Sequence, residues 1–252
     1  MATVSGGAYF TDTHAGSVIH GTAAGNDDIF ATFAHDTIIA GNGDDFISST
    51  GGHAQIHGGD GSDIFMVSGG HDMITTGDGS DDYVQASGGH DSIIGGAGSD
   101  LIQVGGTHNF VQAGPGDAVL YGGQGGDTLL GGAGNDVIHA GSGSEFLAGG
   151  AGNNTLYAGG GADTMMGGPG DNTFAFGNGG GKNLVLDFHD GDVLQIARNI
   201  NGLKITTPQD LLTHVTDDHG NAVITLGHET ITLVNVKAED IHTNPSGFFT
   251  IH

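Results

Sequence analysis

Large apolar residues recur every nine residues along most of the chain, each two positions after an acidic or amide residue. The apolar positions are Ile29, Ile38, Ile47, Ile56, Phe65, Ile74, Tyr83, Ile93, Ile102, Val111, Leu120, Leu129, Ile138, Leu147, Leu156, Met165 and Phe174. Only Ala54 and Ala118 break the polar series, and one inserted residue near Gln85 breaks the spacing. A unit this short buries its apolar residue only against neighbouring units, so the pattern predicts a solenoid of short strands.

Glycine fills the other half of each unit. Four tandem segments, at residues 58–66, 95–103, 122–130 and 131–139, read as GGxGxDxUx, where U is large and apolar. Glycine accommodates tight turns with positive φ, so this half is predicted to be the turn and the xUx half the strand. The nonapeptide resembles the RTX family of secreted calcium-binding repeat proteins over roughly residues 20–188.

The resemblance implies an all-β fold, a parallel β-roll with two sheets and 18 residues per turn, in which successive turns stack in two columns. The first column would hold Asp27, Asp45, Asp63, Asp81, Asp100, Ala118, Asp136, Asn154 and Asn172. The second column would hold Asp36, Ala54, Asp72, Asp91, Asn109, Asp127, Glu145 and Asp163.

The charge of the chain demands a counter-ion. The formal net charge is −25, and all four basic residues (Lys182, Arg198, Lys204 and Lys237) follow residue 181. Stacked carboxylates without basic partners oppose folding. Carboxylate and carbonyl oxygens suit a hard divalent cation, so we expect multiple calcium ions and folding driven by their binding.

The family motif assigns the calcium ligands mainly to the first column, where the Asn residues are expected to bind more weakly. The candidate residues are Asp27, Asp45, Gly59, Gly61, Asp63, Gly77, Gly79, Asp81, Gly96, Gly98, Asp100, Gly123, Asp127, Gly132, Gly134, Asp136 and Asp163. The sequence does not fix how many of these sites are occupied.

The early turns of the second column depart from the motif, because most lack the leading glycine pair. They carry instead a histidine in every turn, namely His35, His53, His71, His90 and His108. These imidazoles are predicted to form one ladder. A transition-metal site and a pH switch are two interpretations. An exposed turn residue copied by repeat duplication is a third and simpler one, which the sequence favours.

Three regions are predicted: an N-terminal cap at residues 1–19, the roll at 20–188, and a C-terminal cap with a secretion signal at 189–252. The last region has strand-like alternation at 193–196, 222–226 and 230–234, a short helix at 207–215, turns at 201–202 and 227–229, and a terminal apolar strand. It is similar to the C-terminal targeting region of RTX proteins that use a type I secretion apparatus. Strands are also expected at residues 9–10 and 18–19.

Other functional classes find little support in the sequence. We expect no enzyme, because the HExxH, GxSxG and GxxxxGK[ST] motifs are absent and the repeats begin near residue 20. Net acidity disfavours nucleic acid. The chain has no cysteine, no transmembrane run and no recognisable N-terminal signal peptide.

Two non-enzymatic functions remain. One is a secreted or cell-surface structural protein that self-associates in extracellular calcium, as in a surface layer, biofilm matrix or filament. The other is a free secreted calcium-binding effector that acts on a host cell or membrane. The expected outward residues on one sheet favour the structural protein: Phe30, Phe46, Ile64, Met66, Val84, Leu101, Val119, Tyr121, Val137 and Tyr157. The other sheet, with Ile39, Met73, Ile94, Phe110 and Phe146, weakens that contrast.

Overall fold

The structure is a computed structural model that describes residues 7–79 and 81–252. It contains two compact units, Met1–Gly123 and Gln124–His252. Both are built from short strands that alternate between two sheets, so each unit is a parallel β-roll. The predicted fold class is confirmed.

Thirteen strands form the described part of the N-terminal unit. They are β1 (Tyr9–Thr11), β2 (Val18–His20), β3 (Asp28–Ala31), β4 (Thr37–Asn42), β5 (Phe46–Ser49), β6 (Gln55–Asp60), β7 (Ile64–Ser68), β8 (Met73–Thr75), β9 (Tyr83–Ser87), β10 (Ser92–Ile94), β11 (Leu101–Val104), β12 (Phe110–Pro115) and β13 (Val119–Tyr121). Odd-numbered strands form one sheet and even-numbered strands the other, all parallel. The strands expected near residues 9 and 18 are therefore confirmed, and they pair as the first strand of each sheet. The expected cap includes residues 1–6, which lie outside the described residues.

Fourteen strands and two short α-helices are described in the C-terminal unit. They are β14 (Thr128–Ala133), β15 (Val137–His139), β16 (Ser142–Gly143), β17 (Phe146–Ala151), β18 (Thr155–Tyr157), β19 (Gly160–Gly161), β20 (Thr164–Met166), β21 (Thr173–Phe176), β22 (Lys182–Val185), β23 (Val193–Ile196), β24 (Val215–Asp218), β25 (Asn221–Leu226), β26 (Glu229–Leu233), α1 (Ala238–Thr243), α2 (Pro245–Phe248) and β27 (Phe249–Ile251). None of the helices in the described part of the chain is long and apolar enough to cross a membrane.

The core of each unit is the column of apolar residues that the nine-residue period marks. Ile29, Ile47, Phe65 and Ile102 are fully buried, as are Leu129 and Leu156 in the second unit. Paired strands lie 18 residues apart in sequence, as in Phe46↔Ile64. Because side chains alternate along a strand, the residues on either side of each core position point outward.

The predicted reading frame is wrong at one turn. Ile64 pairs with Tyr83 and Phe65 with Val84, so the inserted residue precedes Asp82 and does not lie near Gln85. Val84 is fully buried, whereas Tyr83 is only half-buried and takes the outward position. The expectation that Tyr83 is core and Val84 outward is therefore corrected.

The C-terminal segment continues the roll before it changes character. Strand β23 pairs in parallel with β21 and with the terminal strand β27, and β26 pairs in parallel with β22. Strands β24, β25 and β26 then form an antiparallel meander. The predicted helix is a 3-10 helix, Pro208–His214, whose Thr207 cap and Asp210 form a capping box. Strand β24 and both α-helices were not predicted.

Candidate calcium site

The acidic residues of the first column form a buried ladder in the N-terminal unit. Each carboxylate accepts a hydrogen bond, through Oδ1, from the main-chain N–H of the equivalent residue one turn earlier. The bonds run from Asp27 to Asp45 (2.7 Å), Asp45 to Asp63 (2.8 Å), Asp63 to Asp82 (2.8 Å) and Asp82 to Asp100 (3.0 Å). One oxygen of each of these carboxylates thus holds two turns in register.

The second oxygen of these carboxylates has no protein donor. Oδ2 of Asp45, Asp63, Asp82 and Asp100 is buried and, within the described residues, receives no hydrogen bond. A buried carboxylate oxygen without a hydrogen-bond donor destabilises the folded state by on the order of several kcal/mol. A cation at this oxygen would remove that cost.

The first glycine of the turn places main-chain carbonyls beside this oxygen. A Cβ on Gly58 would lie 2.5 Å from Asp63 Oδ2 and 2.3 Å from the Thr76 carbonyl oxygen. A Cβ on Gly95 would lie 2.6 Å from Asp100 Oδ2 and 2.2 Å from the carbonyl oxygen of Ala113. Only glycine fits there. Carboxylate and carbonyl oxygens brought together in this way are the donor set that calcium prefers, so the residues fit the ion.

Four carboxyl groups of the ladder have raised pKa values, whereas hydrogen bonds from Ala8 and Thr22 lower the pKa of Asp27 despite its burial. Burial raises the pKa of Asp63 to about 7, with a further contribution from the charges of Asp45 and Asp82. Burial likewise raises the pKa of Asp100 to about 6, assisted by the charges of Asp82 and Asp81. The pKa values of Asp45 and Asp82 are also raised, mainly by burial. The ladder therefore opposes folding at neutral pH unless a cation compensates it.

Asp81 lies outside this ladder, which corrects its predicted position. The buried residue is Asp82, whereas Asp81 is exposed and its Oδ1 accepts a 2.8 Å bond from the main-chain N–H of Ser99. The equivalent bonds from Asp44 to Asn26 and from Ser62 to Asp44, both 3.0 Å, form an outer ladder on the turn surface. The insertion lengthens the turn before Asp82, which moves Asp81 into this outer series.

Asparagine changes the character of the site in the C-terminal unit. Oδ1 of Asn154 keeps the ladder bond, accepted from Asp136 N–H at 2.9 Å. Its Nδ2 donates to the carbonyl oxygens of Gly167 (3.1 Å), Gly150 (3.3 Å) and Gly152 (3.4 Å). Nδ2 of Asn172 similarly donates to the carbonyls of Gly168 and Gly170, at 2.9 and 3.1 Å. The amide group thus satisfies carbonyls that a cation would otherwise bind.

The second column of the N-terminal unit resembles the first at Asp36 and Asp91, whose Oδ2 atoms are buried and have no hydrogen-bond partner within the described residues, but it differs at Asp72. Its ladder is intact, with bonds of 2.7 Å from Ala54 N–H to Asp72 Oδ1 and 2.9 Å from Asp72 N–H to Asp91 Oδ1. However, Oδ2 of Asp72 also accepts a 3.2 Å bond from the N–H of Gly70 in its own turn. An N–H group points at the carboxylate there, which disfavours a cation at that oxygen.

The second column of the C-terminal unit brings together two further carboxyl groups. Glu145 N–H donates to Asp163 Oδ1 at 3.0 Å, and both side chains are buried. Neither oxygen of Glu145 nor Oδ2 of Asp163 has a hydrogen-bond partner within the described residues. Burial, followed by the adjacent Asp163, raises the pKa of Glu145 to about 8. Glu145 was not predicted as a ligand, although its position in the nine-residue frame could have indicated it.

The glycines predicted as ligands lie in the turns or at the strand ends that lead into them, as Gly59 does in β6 and Gly132 in β14. Several of these residues have positive φ: Gly59, Gly61, Gly77, Gly98, Gly132 and Gly134. At Gly96, Gly79 and Gly123 an added Cβ would lie 1.3, 2.1 and 2.9 Å from the carbonyl oxygens of Gly77, Gly61 and Gly106. The sequence motif did not predict that the first glycine of the repeat lies against the aspartate Oδ2 atom, as it does at Gly58, Gly95 and Gly131. A Cβ on Gly131 would lie 2.3 Å from Asp136 Oδ2. The roles of Asp127 and Asp163 as ligands stay predictions.

Comparison with protein families gives an independent result. The model of the RTX calcium-binding nonapeptide repeat (4 copies) matches residues 22–56, 55–74, 76–111, 112–144 and 139–174. The chain belongs to the RTX calcium-binding repeat family. It is therefore a calcium-binding RTX β-roll, and the buried aspartate ladder is the part of the roll suited to multiple calcium ions.

Comparison with other proteins adds little to this assignment. A comparison of the RTX chain with curated protein sequences finds no match. Among solved structures, the chain is similar to the extracellular lipase LipA from Serratia marcescens, with 17% identity and a TM-score of 0.35. The match covers 88% of this chain and 39% of the lipase chain.

Proposed function

We propose that this RTX protein is secreted, remains largely unfolded where calcium is scarce, and folds into a structural β-roll in extracellular calcium. The observation that carries the proposal is the run of buried Oδ2 atoms at Asp45, Asp63, Asp82 and Asp100 without a protein donor. No lysine or arginine precedes Lys182 in the sequence. Calcium binding then contributes directly to folding free energy.

The structural role rests on the outer surface of the sheets. Large apolar side chains are exposed on both, including Ile64 (43%) and Leu101 (38%) on one sheet and Met73 (46%) and Ile94 (40%) on the other. A folded monomer rarely exposes so many, which favours contact between copies in a surface layer, matrix or filament. The alternative function is a free calcium-binding effector, for which a monomer would suffice. Neither function uses a catalytic group.

Particle size separates the two functions. Multi-angle light scattering of the calcium-saturated protein over a wide concentration range should give oligomers or polymers, and chelator should return extended monomers. A folded particle that stays monomeric throughout would favour the effector. For export, deletion of residues 197–252 should abolish release through a type I secretion apparatus, and continued release would contradict that route.

A further inference from the structure

Five histidine rings form a continuous stack along one edge of the N-terminal unit. The ring centroids of His35, His53, His71, His90 and His108 follow one another at 4.8, 4.9, 4.7 and 5.1 Å. Adjacent ring planes differ by 15° at the first step and by 4–6° at the others. All five side chains are exposed. The predicted histidine ladder is therefore confirmed as a geometric feature, with spacing set by the separation of paired strands.

The backbone at these positions is most easily adopted by glycine. Each histidine has positive φ, between 57° and 64°, and the equivalent residue one turn before His35 is Gly16 with φ of 74°. A residue with a Cβ is destabilised by about 1–2 kcal/mol in this left-handed backbone conformation, whereas glycine adopts it without that penalty. Five successive turns thus carry an imidazole where glycine would be easier to accommodate.

The fold makes little use of the imidazole nitrogens. Nδ1 of His108 lies 2.9 Å from Thr107 Oγ1. Within the described residues, no hydrogen bond to the ring nitrogens of His35, His53, His71 or His90 is present. The neighbouring carboxylates of Asp72 and Asp91 are buried in the turn, where they accept ladder bonds. The exposed edge therefore offers imidazole nitrogens that make no hydrogen bond, and the buried charges of Asp72 and Asp91 act on the nearby His53 and His71.

We propose that adjacent imidazoles of this ladder bind divalent transition-metal ions of the zinc class, two histidines to each ion. Imidazole is a preferred ligand of zinc, copper and nickel, whereas calcium takes oxygen. The ladder site is therefore chemically separate from the calcium ladder of the first column.

The spacing limits which rings can share an ion. In the tetrahedral geometry of zinc, two Zn–N bonds of about 2.0–2.1 Å place the ligand nitrogens about 3.3–3.4 Å apart. Neighbouring rings, whose centroids lie 4.7–5.1 Å apart, reach this distance when their exposed side chains turn out of the stack toward a common ion, but alternate rings, twice as far apart, do not. Within the described residues no three histidine or acidic side chains form a preformed metal cluster. Water thus completes each two-histidine site.

Five rings taken in adjacent pairs give at most two ions, and this makes the pairing testable. Removal of His71 leaves the pairs His35–His53 and His90–His108, and so both ions. Removal of His53 and His90 leaves three isolated rings and no pair. Removal of His35 and His108 deletes the same number of imidazoles but leaves one pair. Asparagine is the suitable replacement, because it tolerates positive φ better than most residues.

The experiment is isothermal titration of untagged protein with Zn²⁺ in saturating calcium at pH 7.5. Relative to a variant with all five histidines replaced by asparagine, the wild type should bind two additional ions and H71N also two. H35N/H108N should bind one and H53N/H90N none, with circular dichroism confirming that each variant is folded. Equal zinc binding by the two double variants, or no difference between the wild type and the five-fold variant, would overturn the proposal.

Discussion

The main-chain N–H of Asp63 donates a 2.8 Å hydrogen bond to Oδ1 of Asp82 in the following turn. Asp81, its neighbour in sequence, bonds instead to the N–H of Ser99 on the turn surface. One bond holds a buried carboxylate whose second oxygen has no donor, and the other holds an exposed carboxylate. Two adjacent aspartates therefore have different roles in the same turn.

This difference predicts unequal effects of two matched substitutions. Asp82→Asn and Asp81→Asn each remove one negative charge and keep an oxygen for the ladder bond. Only the first removes a buried oxygen suited to calcium. Calcium titration followed by circular dichroism should show a midpoint about tenfold higher for Asp82→Asn, in the range seen when a metal site is perturbed, and little change for Asp81→Asn. Equal shifts would show that the buried ladder is not where calcium binds.

The asparagines in the first column of the C-terminal unit allow the opposite substitution, from asparagine to aspartate, which should create a calcium site. Asn154→Asp removes the Nδ2 donor that serves the carbonyls of Gly150, Gly152 and Gly167. In chelator the variant should be less stable by about 1–3 kcal/mol, the usual cost of unsatisfied buried groups. In calcium it should bind one more ion. Asn153→Asp, at the exposed neighbouring position, is the control. Unchanged calcium stoichiometry for Asn154→Asp would contradict this account of the asparagine turns.

The first glycine of the turn predicts a steric effect. In Gly58→Ala the new Cβ would meet Asp63 Oδ2 and the Thr76 carbonyl, whereas in Gly177→Ala it would meet nothing within 4 Å. Neither glycine has positive φ, so backbone strain is not the cause. Gly58→Ala should raise the calcium midpoint and destabilise the loaded protein by about 1–3 kcal/mol or more, the usual cost of overpacking. Similar behaviour of the two variants would refute the assigned role of Gly58.

The raised pKa values predict how the calcium-free protein responds to pH. Asp63 and Asp100 have pKa values of about 7 and about 6 in the fold, above their value of 3.8 without it. At these two groups the folded state therefore holds more protons than the unfolded state, so their contribution to stability is fully present below pH 3.8 and is lost as the pH rises to 6 and 7. In chelator, β-structure by circular dichroism should increase from pH 8 to pH 5. Asp63→Asn/Asp100→Asn should flatten this dependence, and an increase of the same size in the double variant would count against the ladder as its source.

Much of the roll could be predicted from sequence because one periodicity determines it. A buried residue such as Phe65 recurs every nine positions, and glycine marks the turns between. The prediction from the nine-residue period was wrong at residues 81–84. Two aspartates precede Tyr83 and Val84 there, so the sequence fits a frame with Asp81 and Tyr83 and a frame with Asp82 and Val84 equally well. Strand pairing resolves this, because Phe65 lies beside Val84.

The C-terminal segment was less predictable because its contacts are long in sequence. Asn172 N–H bonds to Asp192, and Asn183 donates to Glu229, 46 residues away. These residues continue the two ladders, yet no nine-residue spacing connects them. The absence of a hydrogen bond at the Oδ2 atoms of the buried ladder could not be predicted either, because it depends on where each main-chain N–H lies in the folded turn.

The most direct test of the central claim is the circular dichroism of the protein at neutral pH, first in chelator and then during calcium titration. If calcium compensates the buried ladder, chelated protein should show little β-structure, and calcium should restore it in a cooperative transition. A β-rich spectrum in chelator that calcium leaves unchanged would contradict the account.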